Sequence, residues 1–202
     1  MFFGVFLDPS PYLKKNINFW KKKILLNYGK SKFVMHPAHC TLFYSKIFNR
    51  KFAIQKLDLL ARRIGKIKLT INKKSTFIDY SSSKGKLVLY FNVKYNKKLY
   101  KLQNEILNIL SKYVDKKYIF KNIYRYKKNK ISKDNFSKFG FPFVNKNWTP
   151  HFTIASIKND QNRKKFISNF LNAKIKHVFY VKSLSYWNIN ANKHVLIKRI
   201  IL

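Results

Sequence analysis

His39 and Thr41 stand two residues apart in the run His36-Pro37-Ala38-His39-Cys40-Thr41-Leu42-Phe43. His151 and Thr153 repeat the spacing in Trp148-Thr149-Pro150-His151-Phe152-Thr153-Ile154-Ala155. An imidazole changes charge near neutral pH, and a hydroxyl can donate to an oxygen that is gathering negative charge. At a phosphodiester, one imidazole can take a proton from the attacking water or hydroxyl while a second protonates the departing oxygen. The two threonine hydroxyls would donate to the non-bridging oxygens as phosphorus becomes five-coordinate. That scheme needs both motifs on one phosphate, and it needs no metal and no cofactor. Only seven residues are acidic and none adjoins either motif, so a two-metal nuclease is not expected. The chain has no Walker loop, which argues against an ATP-dependent ligase or kinase.

Such chemistry requires strands to hold it. Both runs are apolar and aromatic enough to be buried strands. Alternation then puts His39 with Thr41, and His151 with Thr153, on one face, and turns Cys40, Leu42, Phe152 and Ile154 to the core. His36 faces the other way on a continuous strand, unless Pro37 breaks the alternation. His177 and His194 have no Thr or Ser two residues on and read as structural or surface residues.

Around the motifs, the opening residues 1–7 read as a first strand. A helix over 11–27 follows, capped by Asp8 or Ser10, with Pro11 in its first turn and Gly29 near its end. A second helix spans 52–64 and stops at Gly65. Strands over 66–71, 76–80 and 87–93, with a turn at 81–85, read as an antiparallel meander. The clearest helix is 95–114, with Leu99, Leu102, Ile106, Ile109 and Leu110 in its apolar stripe. After the second motif come a helix over 161–172, a strand over 176–186, a turn near 190–192 and a last strand over 194–201. Each motif strand is followed by a helix, as in an internal duplication. The expected class is α+β, with two similar lobes about a central cleft.

Composition narrows the partners. The 202 residues make one two-lobed domain over 1–202, and 46% apolar content marks a folded chain. The net charge of +37 rests on scarce acids as much as on abundant lysine, since Glu105 is the sole glutamate. A surface so positive attracts polyanions, which favours RNA or a nucleotide as partner. Residues 116–147 interleave lysines with aromatic rings and read as a loop suited to a single strand, with Tyr124, Arg125 and Tyr126 as candidate contacts. One cysteine, no apolar run long enough for a bilayer and no leader sequence suggest a reducing cytoplasm, away from any membrane. A monomer is expected.

The paired His-x-Thr motifs resemble the signature of the 2H phosphoesterase superfamily, which includes bacterial 2'-5' RNA ligase and cyclic phosphodiesterase proteins. Motif spacing, length and element order suit that family along essentially the whole chain. The resemblance implies two small antiparallel sheets related by a pseudo-twofold axis, with one motif from each lining the groove. It implies a metal-independent phosphodiesterase that opens a 2',3'-cyclic phosphate to a 2'-phosphate, or makes and breaks 2',5' linkages. It also implies His39 as proton donor and His151 as acceptor. Two other readings use the same residues: an enzyme for 2',5'-oligoadenylate or cyclic oligonucleotides, and an RNA-binding protein whose histidines are relics.

Overall fold

Capping residues and apolar stripes set the helices. In the computed structural model, which describes residues 1–79, 85–190 and 193–202, helix α1 (Pro11–Tyr28) opens on Ser10. The Ser10 hydroxyl accepts from Leu13 N at 3.2 Å, and Pro11 takes the first helical position, where its missing N–H costs nothing. Gly29 closes the helix at φ 71° with its N–H on Leu25 O. Asp8, the other expected cap, instead accepts from Ser183, Ser185 and Arg199. Helix α2 (Arg50–Ile64) ends at Gly65, and α3 (Lys97–Leu110) is capped by Asn96 and runs into a 3₁₀ turn, Ser111–Tyr113.

The strands are β1 (Phe2–Leu7), β2 (Cys40–Ser45), β3 (Ile67–Asp79), β4 (Lys86–Val93), β5 (His151–Ile157), β6 (His177–Val181), β7 (Ser183–Asn190) and β8 (Lys193–Ile201). They form one sheet in the order β6-β3-β4-β5-β2-β1-β7-β8, with every pairing antiparallel. The halves β2-β1-β7-β8 and β5-β4-β3-β6 correspond strand for strand about the junction. The two lobes are therefore present, but their sheets are joined by one residue pair, Cys40 with Phe152. Helix α1 lies on β5 and α3 on β2, so each half is covered by the helix that precedes the other half's motif strand in the fold's duplicated order.

Three expectations need correction. The strands over 66–71 and 76–80 are one strand, β3, which crosses its polar middle by a register shift between Ile71 and Lys73. The aliphatic part of Lys74 is buried there, with Nζ over Trp20, Phe91 and Phe170 and donating to Ala173 O. The strand over 176–186 divides at Lys182, where the chain passes from β6 on one edge to β7 in the opposite half. The loop over 116–147 is largely helical. It holds α4 (Lys116–Asn122), a 3₁₀ turn (Ile123–Tyr126), α5 (Lys130–Phe139) and a second 3₁₀ turn (Asn145–Asn147). Its stripes are short, Ile119 in α4 and Phe136 with Phe139 in α5, and Asp115 and Asn129 supply the caps. Helix α6 (Gln161–Asn172) follows β5 as expected. Residue 80 and the expected turns at 81–84 and 191–192 lie outside the described residues. No helix among the described residues is long and apolar enough to cross a membrane.

Candidate active site

The junction of the two halves is also where the motifs meet. Cys40 and Phe152, the central residues of the two motifs, face each other across the β2–β5 pairing, and both are fully buried. Carrying that antiparallel register one residue in each direction sets His39 opposite Thr153 and Thr41 opposite His151. All four then share the face opposite the core, and all four are partly exposed. Directly opposed residues in such a pair have Cβ atoms about 4.5–5.5 Å apart, and diagonal ones about 7–8 Å. The histidines occupy the diagonal. That spacing lets two rings flank one phosphate with a hydroxyl beside each ring.

Each motif bends in the same way. In β2, Phe6 pairs with Thr41 and Val5 with Phe43, leaving Leu42 as an extra residue. In β5, Tyr90 pairs with Thr153 and Leu89 with Ala155, leaving Ile154 as the extra residue. A bulge one residue past the threonine in both strands re-aims the motif, a common device beside active sites. Carbonyl groups around the first bulge are claimed from outside the ladder. Trp148 Nε1 donates to Thr41 O at 3.1 Å and Gln103 Nε2 donates to Leu42 O at 3.2 Å. Trp148 stands just before the second motif, so it ties one half-site to the other.

The imidazoles are held alike. His39 Nδ1 donates to Pro37 O at 2.7 Å, and His151 Nδ1 donates to Thr149 O at 2.7 Å. A carbonyl only accepts, so in the neutral ring Nδ1 carries the hydrogen and Nε2 carries the lone pair. Both Nε2 atoms are thereby left for proton exchange. The β1 and β4 neighbours brace the rings. Phe6 stacks on His39 with centroids 4.1 Å apart, and Tyr90 meets His151 edge to face at 5.0 Å, with Phe77 5.8 Å away. Phe6 lies flat because Gly4 leaves room: a Cβ there would stand 2.5 Å from its ring.

Burial lowers the pKa of both histidines. His39 falls to about 3, mainly through desolvation, with His194, Lys21 and His36 adding repulsion and the Pro37 carbonyl opposing. His151 falls through desolvation against the pull of the Thr149 carbonyl. Both are therefore neutral at neutral pH.

The other histidines divide. His177 is structural, sharing a hydrogen bond of 2.8 Å with Ser10 Oγ and stacking on Phe179. His194 does not stay apart: β8 brings its ring 6.1 Å from His39 and 4.3 Å from His36. Neither contact follows from local sequence, because the partners stand at opposite ends of the chain. Of the basic aromatic candidates, Tyr124 is 62% exposed with Arg125 over its ring, and Tyr126 packs on Phe136 at 4.7 Å. Their ring contacts stay within the helical insert. The insert reaches the sheet through Tyr118, which meets Phe2 edge to face, and through Phe141, which meets Phe43 and Tyr44.

Solved structures share this fold. The structure is similar to that of the Thermus thermophilus protein TT0787, with TM-score 0.65, 12% identity and coverage of 100% of this chain and 98% of that one. It is also similar to E. coli LigT complexed with 3'-AMP, with TM-score 0.56, 14% identity and coverage of 99% and 97%. A structure described as a phosphoesterase gives TM-score 0.56 at 13% identity, covering 99% and 97%. No curated protein sequence matches the chain. The family model of the 2'-5' RNA ligase superfamily matches residues 9–193, a span that contains both His-x-Thr strands and the pairing between them. The chain belongs to the 2'-5' RNA ligase superfamily and has the 2H phosphoesterase fold.

Proposed function

We propose that this protein is a metal-independent phosphodiesterase acting on RNA ends or small nucleotides, and that it opens a 2',3'-cyclic phosphate to a 2'-phosphate. Membership of the superfamily supports a phosphodiesterase-type activity in general. The observation that supports the specific mechanism is the matched pair of imidazoles, each with Nδ1 fixed by the carbonyl two residues back. With both Nε2 atoms facing one phosphate, one accepts the proton of the attacking water and the other protonates the leaving ribose oxygen. Thr41 and Thr153 donate to the non-bridging oxygens. Phe77, 41% exposed and 5.8 Å from His151, offers a ring face to a base. Tyr124, Arg125 and Tyr126 serve a longer strand that runs onto the insert, with Tyr124 offering an open ring to stack on.

The relatives' bound nucleotides are consistent with such a substrate: LigT has been crystallised with 3'-AMP and with ATP. The test is product identification with 2',3'-cyclic mononucleotides, cyclic-ended RNA and 2',5'-linked oligomers, each with and without excess EDTA. A 2'-phosphate product formed at the same rate in EDTA is expected. Loss of activity on chelation, or turnover that survives removal of both His39 and His151, overturns the reading.

A further inference from the structure

Basic groups from outside the His-x-Thr pairs gather around His39. His194 on β8 stands 4.3 Å from His36 and 6.1 Å from His39 between ring centres, with Trp187 on β7 6.4 Å away. The loop carrying His36 is held to α1 by buried Lys21, whose Nζ donates to Phe33 O at 2.9 Å and His36 O at 2.5 Å. Phe33 takes the left-handed conformation, φ 70°, and its ring meets His36 edge to face. Among the described residues, the charged groups acting on His36 or His39 are basic: Lys21, Lys32, His36 and His194. His151, in contrast, has Tyr90 and Phe77 as ring neighbours, and among the described residues its titration is moved by burial and the Thr149 carbonyl.

Three imidazoles and a buried amine gathered this closely repel one another when protonated, and an anion relieves that repulsion. Imidazole N–H groups then make charge-assisted hydrogen bonds to its oxygens. Among the described residues, no group of His, Cys, Asp and Glu is arranged to bind a metal ion.

We propose that His36 and His194 form a second phosphate subsite beside His39, which takes the phosphate one ribose away from the phosphate held between the motifs. The inference rests on the phosphodiesterase reading. The ring of His194, 6.1 Å from that of His39, is within reach of a second phosphate on the same sugar. It also gives the substrate a direction, with its phosphate chain on the His39 side and its base toward Phe77 and Tyr90. His36 and His194 thus select substrates that bear an adjoining phosphate over bare mononucleotides.

Calorimetric binding of adenosine 3'-monophosphate and adenosine 3',5'-bisphosphate tests this in the wild type, His194→Gln, His36→Gln and His151→Gln. The wild type should prefer the bisphosphate by about tenfold, the scale of one charge-assisted hydrogen bond. His194→Gln and His36→Gln should each reduce the preference to about twofold or less, with the melting temperature checked for each. His151→Gln should weaken both nucleotides and keep their ratio. A wild type without preference, or one whose preference survives in both folded variants, overturns the subsite. The binding ratio needs no turnover, so a protein that keeps the ratio but cleaves nothing retains the subsite and loses the hydrolytic reading. One that cleaves with a ratio near unity does the reverse.

Discussion

In the proposed mechanism Nε2 is the working nitrogen of both histidines, because Nδ1 is committed to a main-chain carbonyl in each. Replacing His39 or His151 by Ala should therefore cost at least about 10²-fold in kcat, the scale of one general acid or base. Thr41→Ala and Thr153→Ala should cost about 10–10³-fold by removing one donor to the phosphoryl oxygens, with melting behaviour unchanged. Circular dichroism on the same samples separates lost chemistry from lost fold. The pH profile has a definite sign. One imidazole must be protonated and the other neutral, and burial lowers both pKa values in the free protein. The maximum of kcat/KM should consequently lie on the acid side of neutrality. A bound phosphate raises both pKa values, so the maximum of kcat should lie at higher pH than that of kcat/KM. Coincident maxima at or above neutral pH would show that the lowered histidines are not the titrating pair.

At the scale of elements, the insert is the part whose local sequence least resembles its structure. Tyr124→Ala should weaken single-stranded RNA binding by about 1–3 kcal/mol if its open ring stacks on a base, and leave the melting temperature alone. Tyr126→Ala should also cost about 1–2 kcal/mol of fold stability, because its half-buried ring packs on Phe136. Equal RNA affinity in wild type and Tyr124→Ala would remove the insert from the substrate path. The sequence made the motif strands legible because strand alternation is local: His39 and Thr41 must share a face whatever the fold. Alternation is silent about bulges, so the extra residues Leu42 and Ile154 were hidden, and with them the matched bend of the half-sites. The helices α4 and α5 were hidden because one or two apolar residues per helix leave no stripe among lysines and asparagines. Lys73 and Lys74 looked like a break in β3, whereas the long stem of Lys74 packs as an apolar group under Trp20 and Phe170. The approach of His194 to His39 was beyond any local signal, since it depends on how β8 follows β7 and β1 across the sheet.

For the molecule as a whole, buried basic groups make acid the vulnerable side. His36 and His39 titrate at about 4 and about 3 in the folded protein, against 6.5 when unfolded. Their pKa values are depressed, so the unfolded chain takes up protons first, and stability is lost as pH falls from about 6.5 toward 4. Lys21, lowered to about 8 by desolvation, acts in the same sense at higher pH, between its unfolded value of 10.5 and 8. The melting temperature should drop between pH 7 and pH 4, and inorganic phosphate should offset part of the drop by occupying the site. A melting temperature flat across that range would mean the cluster is solvated rather than buried. The strand order has a separate consequence for synthesis. Strand β1 is paired on one side by β2, nearby in the chain, and on the other by β7, close to the far end. A nascent chain that has not reached residues 183–201 therefore keeps one edge of β1 open and lacks the ring of His194 beside His39. Local pairing can begin early on the ribosome, but the pocket around His39 closes only when β7 and β8 have emerged.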